Sequence, residues 1–362
     1  MGWSAAMRQH ARRLRKVALS ALHYSGADSV IAPFTRGLGA ILTLHQVSPD
    51  KPGAFEPNRN LKVTPQFIVQ VIQQVRAAGF EIVSLDEAHF RLVEGDYGRP
   101  FVCFAFDDGY RDLFEHAYPI FQRYDLPFAV YVATDYPSGH GELWWLALER
   151  IIIKVAALDV KIDGSLRRLK CGSPADKEAS YLKLYAWLRS IDESDARALV
   201  RELCTGFDVD LAGLGSDLIM SWDQIRELGA DPRVTIGSHT RRHLALAKLT
   251  LAEARAEIEE GVRRLERETR LVCRHFAYPY GDEASAGPRE FDLARELGLK
   301  TGVTARGGLI HAQHRGALTA LPSISLSGEY QHPRYVKVAL SGALFAFSGL
   351  TQKGASQPSA ST

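Results

Sequence analysis

The chain has 362 residues and a formal net charge of +2, with 46% hydrophobic and 24% charged residues. This composition is typical of a globular protein with an ample core, and the small net charge argues against a nucleic-acid partner. The length allows one large domain or two smaller ones, and an α/β barrel of this size is commonly a single domain.

The N-terminal segment, residues 1–37, is predicted to be a basic amphipathic helix. Between residues 7 and 22 it carries five basic side chains, Arg8, Arg12, Arg13, Arg15 and Lys16. It has no continuous apolar stretch and no cleavage site of the kind that marks a secretory signal. Most such helices dock on their own domain, whereas a minority lie on anionic membranes. We therefore expect a docked helix, with peripheral membrane contact as the alternative.

From residue 39 onward, strand-like apolar runs alternate with helical patterns. The predicted strands cover residues 39–45, 80–85, 101–106, 127–133, 234–238, 274–278, 300–304 and 321–326. Helices are expected over 65–78, which Pro65 opens and Gly79 ends, over 111–124, and after a capping box formed by Thr250 and Glu253. This alternation predicts a parallel sheet whose functional residues lie at the carboxyl ends of its strands.

The segment 136–221 interrupts the alternation and is predicted to be a helical insertion, with helices near 146–158 and 181–188. Insertions on the rim of a barrel usually shape access of substrate. The adjacent Trp144 and Trp145 are either core residues or a platform for a sugar ring. Neighbours on one helix cannot both face inward, so we expect one of the two to be partly exposed.

The four cysteines show neither CxxC spacing nor a disulfide pattern. This pattern favours free thiols in a reducing compartment, and hence a cytoplasmic protein, with a position on the inner face of the membrane as the alternative. Within the C-terminal segment 336–362, the uncharged run 338–350 is too short to span a bilayer and is predicted to form a packed helix. The tail from residue 352 is predicted to be disordered.

Two consecutive acids, Asp107 and Asp108, follow the apolar run that ends at Phe106, and Gly109 allows the chain to turn there. Successive side chains of a strand point to opposite faces, so the two acids share a site only where the strand ends. Carboxylates this close repel each other, and a metal ion bound by one of them would relieve the repulsion. The alternative is a solvated Asp-Gly turn.

Two histidines, His239 and His243, follow another strand-like run. Their spacing of four residues puts both imidazoles on one face of a helical turn, an arrangement common in transition-metal sites. With one aspartate they would form a three-ligand set that leaves a coordination position open. Because Arg241 and Arg242 lie between them, a surface histidine pair is the alternative. A third run ends in the turn-forming residues 279–281.

These three pieces, in this order, resemble the motifs of the polysaccharide deacetylase family, also called carbohydrate esterase family 4. Residues 105–109 match its T/A-F-D-D-G motif, 239–243 match H-S/T-x-x-H, and 279–281 match part of R-x-P-Y-G. The resemblance covers about residues 39–326 when the insertion is set aside. It implies a distorted (β/α)7 barrel over residues 38–335, interrupted by the insertion at 136–221.

The resemblance also implies roles for individual residues. Asp107 resembles the general base of the family. Asp108, His239 and His243 resemble the ligands of one divalent metal ion, usually Zn²⁺, with Co²⁺ as an alternative. Tyr280 occupies the position whose backbone N–H stabilises the oxyanion.

Further candidates line the expected rim, and two family features are missing. The candidates for contact with substrate are His45, Tyr110, Tyr278 and Trp144; for His45, a satisfied histidine at the end of a strand is the alternative reading. Ala277 stands where the family has the arginine that orients the base. No L-x-x-H motif supplies a general acid, and none of the remaining histidines, His311, His314 and His332, is assigned this role.

We therefore expect a hydrolase that removes N-acetyl groups from amino-sugar glycans of the chitooligosaccharide or exopolysaccharide type. The alternatives are an O-deacetylase, a glycan-binding protein of the same fold that has lost turnover, and a phosphoesterase, which would commonly need two metal ions. The expected partner is an acetylated glycan, with no nucleic acid, and the sequence indicates no protein partner.

Overall fold

Seven parallel strands form a closed barrel in the computed structural model, which describes residues 5–346 of the chain and the side chains of residues 12–346. The strands of the described chain are β1 Gly39–Leu44, β2 Gln46–Val47, β3 Lys62–Val63, β4 Glu81–Ile82, β5 Phe101–Phe106, β6 Phe128–Val132, β7 Ala157–Ile162, β8 Ser165–Lys170, β9 Val234–Ser238, β10 His275–Ala277, β11 Thr301–Gly307 and β12 Leu321–Ser325. The expected barrel fold is therefore confirmed.

The barrel closes between its first strand and the strand that carries the two acids. The strand order is β1-β12-β11-β10-β9-β6-β5, and β1 returns to pair with β5 from Gly39 opposite Phe101 to Leu44 opposite Phe106. The short β4 pairs with only the first two residues of β5. Because all these strands are parallel, their carboxyl ends lie together at one end of the barrel.

Helices cover the outside of the barrel and form most of the insertion. They are α1 Ala5–Tyr24, α2 Ala27–Thr35, α3 Pro65–Ala77, α4 Leu85–Glu94, α5 Tyr118–Tyr124, α6 Trp144–Lys154, α7 Pro174–Leu188, α8 Glu193–Gly206, α9 Leu211–Leu218, α10 Trp222–Ala230, α11 Leu251–Thr269, α12 Pro288–Glu296 and α13 Pro333–Leu340. β1 and β5 are buried along their whole length, because side chains fill the barrel interior while α3 and α5 pack outside.

Two predicted elements of the barrel differ from the structure. The strand expected at 80–85 shortens to β4 because Ser84 caps the next helix, accepting a hydrogen bond from the Glu87 N–H. The helix expected over 111–124 begins as a π-helix, Leu113–Ala117, before α5. Pro119 lacks the N–H that a continuous α-helix would require there.

The insertion also contains a β-hairpin that the sequence analysis missed. β7 and β8 pair antiparallel across a turn at Asp163 and Gly164, which have φ angles of 50° and 75°. Leu158 thus lies in a strand, although it was predicted to be helical. The signal was present in the sequence, because Asp-Gly between alternating apolar residues is typical of a hairpin.

The two ends of the described chain pack against each other. α1 contacts α13, and Leu19 lies in a small cluster with Val338 and Ala343. Arg12 forms ion pairs with Glu329 at 2.9 Å and Glu178 at 3.4 Å. No helix of residues 5–346 is long and apolar enough to cross a membrane. The tail predicted to be disordered lies outside the described residues.

Candidate active site

The carboxyl ends of four strands bring the predicted site residues together. His45 follows β1, Asp107 and Asp108 follow β5, His239 follows β9, and Tyr280 lies in the loop after β10. They line a cavity of about 820 Å³. These site residues, which lie up to 235 positions apart in the sequence (His45 to Tyr280), therefore form a single site.

Three buried side chains of this site offer ligand atoms to one point. Asp108 Oδ1 lies 3.6 Å from His239 Nε2 and 3.2 Å from His243 Nε2, and the three ligand atoms are all within 4.8 Å of one another. Ligands at about 2.0–2.1 Å from a zinc ion, at tetrahedral angles, are about 3.4 Å apart. The geometry therefore fits one divalent ion with three protein ligands.

A hydrogen bond orients one of the three candidate ligands, whereas polar atoms of the other two have no hydrogen-bond partner among the described residues. His239 Nδ1 lies 2.8 Å from the carbonyl oxygen of Ala277, to which it donates when Nε2 is free to bind an ion. Asp108 Oδ1 and His243 Nδ1 have no hydrogen-bond partner among the described residues although they are buried. A buried carboxylate oxygen without a donor is costly, so the donor set fits a bound cation.

The surface-pair alternative for the histidines is excluded by their burial. His239 and His243 are 3% and 4% exposed, whereas the intervening Arg241 and Arg242 point outward and pair with acids of α11, Glu260 and Glu257. His243 is held by its backbone N–H, which donates to Thr240 Oγ1 at 3.0 Å. The chain thus turns the two arginines to solvent and both imidazoles inward.

Backbone strain is concentrated in the three motif loops. Eight non-glycine residues of the described chain have positive φ angles, and four of them lie in these loops: Asp108 at 71°, Thr240 at 66°, His243 at 59° and Tyr280 at 61°. Such conformations cost free energy and usually persist only where function requires them. Gly281, with φ 61°, accompanies them because a Cβ there would lie 2.3 Å from the Ala305 nitrogen.

Burial shifts the pKa values of the site residues in different directions. Burial, together with the neighbouring His243, lowers the pKa of His239 to about 3, which keeps its imidazole neutral as a metal ligand requires. Burial raises the pKa of Asp108, but the three neighbouring histidines outweigh it and lower the pKa to about 2. Burial raises the pKa of Asp107 to about 7, against a lowering effect of His45.

Asp107 faces the cavity without an arginine beside it. Its Oδ1 has no hydrogen-bond partner among the described residues, and the basic side chain that lies within 4 Å of its carboxylate there is His45, whose Nε2 is 3.9 Å from Asp107 Oδ2. Arg274 cannot take the place of the arginine that is missing at position 277, because Arg274 precedes β10 and so lies at the opposite end of the barrel. The imidazole of His45 therefore takes the place beside this carboxylate.

The side chain of Tyr280 is clamped by two residues of the insertion. Trp144 Nε1 donates a hydrogen bond to its hydroxyl at 2.8 Å, and the guanidinium of Arg189 lies 3.6 Å from the centre of its ring. The Tyr280 backbone N–H has no acceptor among the described residues. The loop thus holds a free N–H donor at the cavity in a fixed position.

The insertion also reaches the ligand His243 through a buried arginine. Arg197 of α8 is 6% exposed and donates to the carbonyl oxygens of His243 at 3.1 Å and Glu142 at 2.8 Å. Its Nε lies 3.7 Å from the buried carboxylate of Glu193. The part of the chain that interrupts the barrel therefore helps to hold a predicted metal ligand.

Replacing this arginine with Arg197→Met is expected to lower the free energy of unfolding by about 3 kcal/mol, because a buried carboxylate loses its ion-pair partner and two carbonyl oxygens lose their donor. Chemical denaturation would measure the change. Arg201→Met is the matched control: Arg201 lies one turn later and is half-exposed, so its loss should cost less than about 1 kcal/mol. Equal stability of the two variants would contradict the assigned role of Arg197.

Two of the four candidates for substrate contact are placed differently from the prediction. Tyr110 is 1% exposed and lies in the core of the insertion rather than at the cavity. Trp144 is also buried, since its ring stacks on Tyr185 and its N–H serves Tyr280. The expectation that Trp144 or Trp145 is partly exposed was wrong, because α6 is covered by the barrel rim on one side and by α7 and α8 on the other.

The other two candidates, His45 and Tyr278, do line the cavity, although the Tyr278 hydroxyl donates to the Thr319 carbonyl. Trp145, which the sequence analysis considered together with Trp144, also lines the cavity. The insertion and the chain ends add lining residues that sequence reasoning did not identify: Tyr181, Tyr185, Arg189, Arg12 and Glu329. None of His311, His314 and His332 lines the cavity.

A family model matches the part of the chain that contains several residues of the site. Residues 186–302 match the family model described as polysaccharide deacetylase, a match that includes His239, His243 and Tyr280. No curated protein sequence matches this chain significantly. This match supports the family resemblance for the part of the chain that carries the second and third motifs.

Two solved structures with the same fold are similar to this chain. The deacetylase PplD of Streptococcus pyogenes, in complex with acetate, is 18% identical, with a TM-score of 0.55 over 83% of this chain and 97% of that one. IcaB from Ammonifex degensii is 18% identical, with a TM-score of 0.50 over 84% of this chain and 96% of that one. At these identities the similarity shows the fold alone.

Proposed function

We propose that this chain, whose residues 186–302 match the polysaccharide deacetylase family model, is a metal-dependent hydrolase that removes N-acetyl groups from amino-sugar glycans. The observation that carries the proposal is the buried group of Asp108, His239 and His243 beside a second, unliganded carboxylate. A glycan-binding protein without catalytic activity would not need this second carboxylate, that of Asp107. A cluster of this kind is present once in residues 12–346, which favours this reaction over a phosphoesterase that uses two metals.

The ion that these three side chains would hold is proposed to be Zn²⁺, with Co²⁺ as an alternative. When bound, such an ion supplies Lewis-acid chemistry: it lowers the pKa of water and polarises a carbonyl group. Two histidine nitrogens and one carboxylate oxygen are a ligand set that suits zinc and leaves a position open.

The remaining site residues divide the proton transfers between them. Asp107 accepts a proton from the water that attacks the acetyl carbonyl carbon. The Tyr280 N–H donates to the carbonyl oxygen as negative charge develops on it. When the C–N bond breaks, His45 delivers a proton to the sugar nitrogen, so acetate and a free amine leave. His45 fits this role because, among residues 12–346, it is the one histidine outside the metal group that lines the cavity.

The cavity suits a saccharide rather than a small acetylated metabolite. Its volume of about 820 Å³ exceeds that of one sugar, and Trp145, Tyr181 and Tyr185 supply aromatic faces along its wall. Arg189 adds a cation at the same wall. Four buried free cysteines support the proposal of a reducing, cytoplasmic location.

Replacing His45 with Gln is expected to lower kcat about a hundredfold, because the leaving amine loses its proton donor. The metal content, measured by elemental analysis, should stay at that of the wild type. His311→Gln, which changes a histidine far from the cavity, is the control and should leave kcat unchanged. A His45→Gln variant with normal kcat would show that another group protonates the amine.

The proposal is tested by acetate release from N-acetylglucosamine oligomers, with Zn²⁺ or Co²⁺ added back after chelation. Release that depends on the added metal would support it. Release only from O-acetylated glycans would replace it with an O-deacetylase. Firm binding of glycan and metal without release would favour a binding protein, an alternative motivated by the alanine at position 277.

A further inference from the structure

The two N-terminal helices leave apolar side chains in water. Leu14 and Val17 of α1 are 57% and 65% exposed, and Val30 and Phe34 of α2 are 72% and 88% exposed. With Tyr24 they account for five of the twelve large apolar side chains that are exposed in the described chain, within 21 residues. Single exposed apolar residues are ordinary, but such a concentration marks an interaction surface.

This surface lies on the side of α1 that faces away from the protein. Leu19 packs on α13, whereas Leu14, Val17, Ala21 and Tyr24 follow each other at intervals of three and four residues on the outer side. The helix thus has two apolar faces, of which one is covered. An ordinary docked amphipathic helix has a polar outer face, whereas the outer face of α1 carries exposed apolar side chains.

The charges around the surface have one sign. Residues 1–37 contain six basic residues and one acid, whereas residues 38–362 contain 38 basic and 41 acidic residues. The single acid, Asp28, is buried between His23 and Lys337. Arg13 and Arg36 are exposed and form no ion pair with any residue of the described chain.

We propose that α1 and α2 bind the surface of an anionic lipid bilayer. Leu14, Val17, Val30 and Phe34 would enter the boundary between headgroups and acyl chains, and Arg13 and Arg36 would contact lipid phosphates. A second copy of the chain fits less well, because a two-fold contact would bring the same positive charges together. Arg12, on the covered side of α1, lines the active-site cavity, so the bound helix is part of the cavity wall.

Flotation of the full-length protein with vesicles tests this surface. Vesicles of phosphatidylcholine with about one third phosphatidylglycerol should bind the protein, and binding should weaken as salt increases. Vesicles of phosphatidylcholine alone should bind it far less. Leu14→Ser with Phe34→Ser should reduce binding at least tenfold, and Arg13→Gln with Arg36→Gln should reduce it about fivefold for each arginine.

Leu166→Ser is the matched control, since Leu166 is 71% exposed on the β-hairpin of the insertion, and it should bind vesicles like the wild type. All these positions are exposed, so unchanged thermal unfolding would show that the variants fold. Binding of the Leu14 and Phe34 variant at the level of the wild type would overturn the proposal. The proposal would also be overturned if the wild type did not bind the anionic vesicles but formed a dimer, and the Leu14 and Phe34 variant abolished that dimer.

Discussion

Replacing Asp107 with Asn is expected to reduce deacetylation at least a thousandfold while the protein keeps its metal. The amide has the shape of the carboxylate but cannot accept a proton, and a general base commonly contributes 10²- to 10⁴-fold. Asp107 is not among the three residues whose ligand atoms converge. Acetate release and metal content, measured on the same sample, would separate the two properties.

The outcome also decides between an enzyme and a binding protein. Asp282→Asn is a suitable control, because Asp282 lines the same cavity but pairs with Arg189 and should matter only for substrate affinity. Normal turnover by Asp107→Asn would show that the base has been assigned wrongly. Loss of metal from this variant would instead mean that Asp107 is itself a ligand.

Replacing His239 with Ala is expected to abolish metal binding and, with it, turnover. His239 supplies one of three ligand atoms, and its Nδ1 is fixed by the Ala277 carbonyl; no fourth side chain of residues 12–346 belongs to this ligand group. An ion that binds only the folded protein raises its unfolding temperature. Added Zn²⁺ should therefore raise Tm for the wild type, by several degrees at saturating concentration, and leave Tm of His239→Ala unchanged.

His140→Ala provides the comparison for this experiment, because His140 is exposed outside the cavity and should keep the full response to zinc. A response of His239→Ala equal to that of the wild type would show that zinc binds elsewhere. Because the readout is thermal, it does not depend on having found the natural glycan.

Local sequence was sufficient to identify the ligand group. The apolar run before Asp107 and Asp108 predicted a strand with the bounds that β5 has, Phe101–Phe106, and the run before His239 predicted β9 equally well. Both runs are continuous because these strands are buried on both faces. The family resemblance then related the two strand ends to each other, and the closed parallel barrel explains why they meet.

Where the prediction failed, packing between distant segments decided the structure. The prediction that one of the adjacent tryptophans is exposed assumed that one side of their helix faces water. Near Trp144 and Trp145, α6 is covered on all sides, and both side chains are buried. The hairpin β7–β8 takes part in the same insertion core. These outcomes depend on which elements cover each other, which local patterns do not encode.

By itself the sequence predicted the strand ends, the two acids and the histidine pair that follow them, and the positive charge of the N-terminal segment, and the family resemblance then assigned the roles of Asp107 and Asp108. Only the tertiary structure decided that His45 stands beside Asp107, that Trp144, Arg189 and Arg197 of the insertion hold Tyr280 and His243, and that α1 keeps an apolar face in water. The physical reason is the range of the contacts. Ligand spacing and strand burial depend on residues that are neighbours in the sequence. By contrast, the closure of the barrel between β1 and β5 and the docking of the insertion depend on contacts between residues tens to more than a hundred positions apart.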